Sequence, residues 1–125
     1  MANILIVDDD EAIREIIKEA LSSEGYEFHL AANGSQAFEV LRNKRVDLAI
    51  VDRNMPGISG IEVVQLIRLN PKTASIKVLM CTASSVTKEI DEAFAAGADD
   101  YLFKPLIFAQ LRGKVAKALS LPRPA

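Results

Sequence analysis

The chain has 125 residues and a formal net charge of −2, with 50% of its residues hydrophobic and 26% charged. A chain of that size makes one domain and buries roughly two-thirds of its unfolded surface, enough for a core without staples. The balance excludes the basic footprint of a nucleic-acid or anionic-membrane binder, and no apolar run approaches the ~20 residues of a membrane span. The start, MANILIV, lacks the basic flank of a signal peptide, and the single cysteine, Cys81, excludes an internal disulfide. Both features predict a cytoplasmic protein in a reducing compartment.

In chain order, Asn3–Val7 is a run of large apolar residues, the pattern of a strand buried on both faces. Residues 11–23 carry Ile13, Ile16, Ile17, Ala20 and Leu21 at helical spacing and stop before Gly25. Residues 26–31, YEFHLA, mix polar and apolar side chains and predict a strand at a sheet edge. A helix over 35–43 gathers Ala37, Phe38 and Leu41, and a second buried strand covers 47–51. A helix over 60–69 presents Ile61, Val64 and Ile67, followed by a buried strand over 76–81. A helix over 87–96 presents Ile90, Ala93 and Phe94 and ends at Gly97. A last buried strand, 101–103, leads to a helix over 106–119 with Phe108, Leu111, Val115 and Leu119. Strand and helix alternate, which predicts an α/β fold: a doubly wound parallel sheet of five strands with helices on both faces. Residues 1–120 form that domain, and 121–125, LPRPA, read as a short tail or linker stub.

Polar residues stand where the buried runs stop. The first ends in Asp8 and Asp9, the third in Asp52, the fourth in Thr82 and the fifth in Lys104. Ligands of open α/β sheets sit outside the carboxyl ends of the strands, so one crevice receives three carboxylates, a hydroxyl and an ammonium. Two carboxylates about 4 Å apart repel by roughly 4 kcal/mol at an effective dielectric near 20, so a cation is expected among them. Clustered carboxylates suit a hard divalent ion, which for phosphate chemistry is usually Mg2+. With that ion and the lysine the group is neutral, and a carboxylate can itself accept a phosphoryl group as an acyl phosphate. The chemistry points to phosphoryl transfer onto an aspartate.

The segments ILIVDDDE, VDRNMPGISG, VLMCTAS and GADDYLFKPL resemble the receiver (response regulator) domain of two-component signalling, of the single-domain chemotaxis-regulator type. The resemblance runs from the first strand to the last helix. It implies a flavodoxin-like three-layer sandwich with strand order 2-1-3-4-5. It implies a phosphoacceptor signalling domain that is no enzyme in the ordinary sense, yet assists its own Mg2+-dependent phosphorylation and dephosphorylation. Asp52 would take the phosphoryl group from a sensor histidine kinase or a histidine phosphotransfer protein. Asp9 would bind Mg2+ directly and Asp8 mostly through water, with Asp52 and the backbone carbonyl of Asn54 completing the protein ligands. Lys104 would pair with the acceptor and then with a phosphoryl oxygen, and Thr82 would bond another. Tyr101 would be the aromatic switch, the Lys104–Pro105 peptide would be cis, and a downstream protein would read the altered surface. Positions 54 and 84, here Asn54 and Ser84, would influence phosphoryl lifetime. Arg53, a bulky cation at a variable position, would gate the site or touch the phosphoryl group.

Simpler readings compete at each position. Asp8, Asp9 and Asp10 can cap a helix, and capping or solvation is the preferred reading of Asp10. Asp52 before NMPG can lead into a turn, and Lys104 alone can be a solvated surface lysine. Cys81 reads as a small buried hydrophobe, His29 as a surface residue, and Ile13 as either core or a kinase-facing anchor. Two other functions fit parts of the pattern. A haloacid-dehalogenase-type phosphatase would use Asp8 and Asp10 but leaves Asp52 unexplained. A passive adaptor would have no need of the whole set Asp8, Asp9, Asp52, Thr82 and Lys104.

Overall fold

The computed structural model describes residues 1–83 and 85–121. Ser84 and residues 122–125, where a lifetime-setting side chain and most of the tail were expected, lie outside the described residues. The elements follow the predicted alternation: β1 (Asn3–Val7), α1 (Glu11–Ala20), β2 (Glu27–Ala31), α2 (Gly34–Asn43) and β3 (Leu48–Asp52). They continue with α3 (Gly60–Leu69), β4 (Lys77–Thr82), α4 (Thr87–Ala96), β5 (Asp100–Phe103) and α5 (Phe108–Ser120).

All strand pairings are parallel and the order is β2-β1-β3-β4-β5. The pleat sends alternate residues to opposite faces. Ile4, Ile6, Leu48, Ile50, Leu79, Cys81 and Leu102 meet Ile17, Ala20 and Leu21 and then Leu111 and Val115 of α5. Leu5, Val7, Ala49, Val51, Val78 and Met80 meet Ala37 of α2, Val63, Val64 and Ile67 of α3, and Ala93 of α4. The helices therefore cover both faces. Each fully buried Leu or Ile contributes roughly 1.5–3 kcal/mol. Arg68 of α3 ties the α3–β4 and α4–β5 connections together, donating to the carbonyls of Ala74 and Gly97 and pairing with Asp99 at 3.0 Å. Asp99 also accepts the amide of Val78 at 2.8 Å, which fixes the start of β4 against the start of β5.

The differences from the sequence expectations are local. The helix expected over 11–23 ends at Ala20, and Ser22–Glu24 form a single 3-10 turn before Gly25, whose φ of 76° only glycine adopts freely. Ile16 sits at the margin of the apolar stripe of α1 and is 38% exposed instead of buried with its neighbours. Residues 101–103 were expected to be buried on both faces. β5 is the second edge of the sheet, as the order 2-1-3-4-5 implied, and only Leu102 is buried, with Phe103 40% exposed. The last helix starts at Phe108, two residues later than expected, because Ile107 is still extended.

Candidate functional site

The strand ends carry the site because register and pleat align them. Ile6 lies opposite Ile50 and Val7 opposite Val51, so Asp8 and Asp52 fall level at the ends of adjacent strands. Asp52 is the last residue of β3 and lies opposite Cys81, and Thr82 is the last residue of β4 and lies opposite Phe103. Lys104 follows directly, its amide donating to the carbonyl of Thr82 at 2.8 Å, and the Lys104–Pro105 peptide is cis, as expected.

The Lys104 ammonium lies 3.0 Å from Asp8 Oδ2 and 3.2 Å from Asp52 Oδ1. Both carboxylates are almost wholly buried, at 1% exposed for Asp8 and 5% for Asp52, while Asp9 is exposed. Asp8 Oδ1 accepts the amide of Asp10 at 2.9 Å, and Asp52 Oδ1 accepts the amide of Asn54 at 3.4 Å. Burial and the neighbouring Asp8 charge push the Asp52 pKa above the ordinary 3.8, with Lys104 opposing the shift only in part. Burial alone would lower the pKa of Lys104. Its hydrogen bond to Asp8 and the two carboxylate charges outweigh that and raise it above 10.5.

Carboxylate oxygens of Asp8, Asp9 and Asp52 all lie within 4.8 Å of one another. Two buried acids and a third at the rim share one lysine, so the pocket holds more negative charge than its own cation neutralises. An all-oxygen donor set with one solvent-facing member fits a hard divalent ion that keeps waters. The donors therefore fit Mg2+.

The sequence-predicted residues divide into three groups. Asp8, Asp9, Asp52 and Lys104 converge directly. Thr82 is buried on the neighbouring strand end, and Asn54 turns back to Asp52 through its amide. Tyr101 stands apart and half-buried, edge-on to Phe94 at 5.6 Å and Phe103 at 5.0 Å, with the Lys114 ammonium 4.7 Å above its ring. Asp10 caps α1 through the amide of Ala12, as the simpler reading had it, and Ile13 packs partly buried in the core. Cys81 is buried and its thiol is pushed up to about 12, chiefly by desolvation, so it is inert. His29 is half-buried and contacts Asn3 at 3.3 Å.

Three further residues shape the site. Arg14 of α1 donates to the Asp8 carbonyl at 2.7 Å, from a position six residues on that the motif did not single out. Gly60 packs so closely that a Cβ there would stand 2.2 Å from the Asp52 carbonyl oxygen. Arg53 was expected to gate the site or meet the phosphoryl group. Its guanidinium instead reaches α4, bonding the Glu89 carbonyl at 2.9 Å and Glu92 at 2.8 Å.

The family model for the response regulator receiver domain matches residues 4–116. The chain belongs to the response regulator receiver family. One curated relative of similar length, sporulation initiation phosphotransferase F of Bacillus subtilis, is 36% identical over 118 residues, covering 94% of each chain. YrkP, an uncharacterized transcriptional regulatory protein of B. subtilis, is 41% identical over 116 residues, or 93% of this chain and 48% of that protein. The receiver domain spans about half the length of most of the curated relatives it matches. The chemotaxis protein CheY4 of Vibrio cholerae superposes with a TM-score of 0.90 at 33% identity, covering 95% of this chain and 99% of that one. As a receiver domain, this chain is a signalling module. Among the described residues no helix is long and apolar enough to cross a membrane.

Proposed function

We propose that Asp52 is the phosphoacceptor of this receiver domain and that Asp8, Asp9, Asp52 and the Asn54 carbonyl hold the Mg2+ that phosphorylation requires. The observation that carries the reading is Lys104 bridging Asp8 and Asp52 at 3.0 and 3.2 Å in a pocket still short of positive charge. The ion, when bound, supplies the missing charge and draws electron density from phosphoryl oxygens. A carboxylate oxygen of Asp52 attacks the phosphorus of a phosphohistidine. The new O–P bond gives an acyl phosphate, the P–N bond breaks, and its electron pair returns to the imidazole nitrogen, which takes up a proton. Lys104 is poised to move from the acceptor carboxylate to a phosphoryl oxygen as charge builds there, and Thr82 offers its hydroxyl to another.

Burial keeps water from Asp52 and desolvates it, which disfavours its resting charge and favours a partner that spreads it. Tyr101, in contact with α4 through Phe94, is the candidate reporter of the change on the surface. The donor is a sensor kinase or phosphotransfer protein, the domain works in the cytoplasm, and its target is a protein that distinguishes the two states. Incubation with Mg2+ and acetyl phosphate, followed by intact mass measurement, should add one phosphoryl group to wild type and none to Asp52→Asn. Equal gain in both proteins would overturn the assignment of the acceptor. No gain in either, without Mg2+ binding, would favour the passive adaptor.

A further inference from the structure

Arg53 follows the acceptor directly, and its backbone is held on both sides. Its amide donates to the Cys81 carbonyl at 2.9 Å, and its carbonyl accepts from Gly60 at 3.0 Å. From this fixed base the side chain crosses to α4 and spends two guanidinium nitrogens there, on the Glu89 carbonyl and the Glu92 carboxylate. The Arg53 side chain is only 11% exposed, whereas that of Glu92 is 46% exposed. Holding a nearly buried guanidinium in a two-point grip is a directional contact, unlike a solvated surface pair.

Among the described residues no side chain caps the helix it grips, nor α5 after Ile107. α1, α2 and α3 start at Asp10, Asn33 and Ser59, each accepting a backbone amide, but α4 starts at Val86, whose side chain has no polar atom. Val86 is four residues after Thr82, the hydroxyl expected to follow the phosphoryl group. Farther along the same helix Phe94 touches Tyr101. α4 is thus joined to the acceptor strand by Arg53 and to the switch aromatic by Phe94.

From this placement we infer that Arg53 is a positioning residue: its tether to Glu89 and Glu92 holds α4 in the unphosphorylated arrangement and sets how readily the domain switches. The inference rests on Asp52 being the acceptor. A phosphoryl group on Asp52 brings about two negative charges to the residue preceding Arg53, an alternative partner for the guanidinium if it leaves α4. A contact made in one state only biases the equilibrium by its own free energy, and by reciprocity it also weakens the ligand that favours the other state.

The test is the affinity of beryllofluoride, a phosphoryl mimic, in Mg2+ by calorimetry, for wild type, Arg53→Ala, Glu92→Gln and the double variant. Amide hydrogen exchange across α4 is measured on the same proteins without the mimic. Each single substitution should tighten binding by about 5-fold, the double variant no further, and exchange in the first turns of α4 should quicken in all three. Weaker binding in Arg53→Ala with Glu92→Gln unchanged would overturn the tether and make Arg53 a direct anion ligand. Unchanged affinity in both would overturn it as well. Wild type that fails to bind the mimic at all, just like Asp52→Asn, would instead remove the acceptor assignment on which the tether depends.

Discussion

Lys104 does two things that pull against each other. It neutralises part of the charge of Asp8 and Asp52 in the resting protein, yet in the proposed reaction it is the group that a phosphoryl oxygen recruits. Its removal leaves two almost buried carboxylates facing each other, and an unpaired buried group costs about 1–3 kcal/mol. Lys104→Met should lose that much stability in urea denaturation without metal, and saturating Mg2+ should restore much of it. Asp52 works in the opposite sense. Its folded pKa is raised, so the native state binds more protons than the unfolded chain between 3.8 and the raised value. Its contribution to metal-free stability therefore falls as pH rises through that window and stays unfavourable above it. Asp52→Asn should be about 0.5–2 kcal/mol more stable than wild type at neutral pH and should lack this slope, both read from denaturation across a pH series.

Elements place these side chains, and here the close approach of Gly60 decides much. α3 begins against the backbone of Asp52 and Arg53, with the Gly60 amide donating to the Arg53 carbonyl. A methyl group there meets main chain, which cannot swing aside. Gly60→Ala should lose about 1–3 kcal/mol and slow phosphorylation by acetyl phosphate, measured by denaturation and by intact mass against time. Four of the strands were legible because continuous apolar runs have few other uses at that length, and the polar residue closing each of those runs was legible with them; β2 was legible by its mixed, edge-like pattern. The exposure of β5 was not, since YLF looks the same in an edge strand as in a central one. Ile16 failed for a related reason: apolar spacing marks a stripe but not its margin. The partners of Arg53 were hidden because Glu89 and Glu92 lie 36 and 39 residues away on a helix whose other charges face solvent. The nearness of Gly60 depends on how two backbones pack, which no local pattern encodes.

Taken whole, the molecule is a stiff sheet with one weighted end. The faces of the sheet bury the aliphatic core, and its carboxyl edge collects the acids, the hydroxyl and the lysine. α4 contacts both that edge, through Arg53, and Tyr101, the proposed switch, through Phe94. Chemistry at Asp52 thus has a physical route to the surface formed by α4, β5 and α5, where Phe94, Phe103, Ile107 and Phe108 are substantially exposed. The whole account stands on which carboxylate takes the phosphoryl group. Borohydride reduces an acyl phosphate to an alcohol, so an aspartyl phosphate becomes homoserine that peptide mass mapping can locate. After treatment with Mg2+ and acetyl phosphate, the account predicts homoserine at position 52 and nowhere else. Homoserine at position 8 or 10 with none at 52 would contradict it and restore the phosphatase reading.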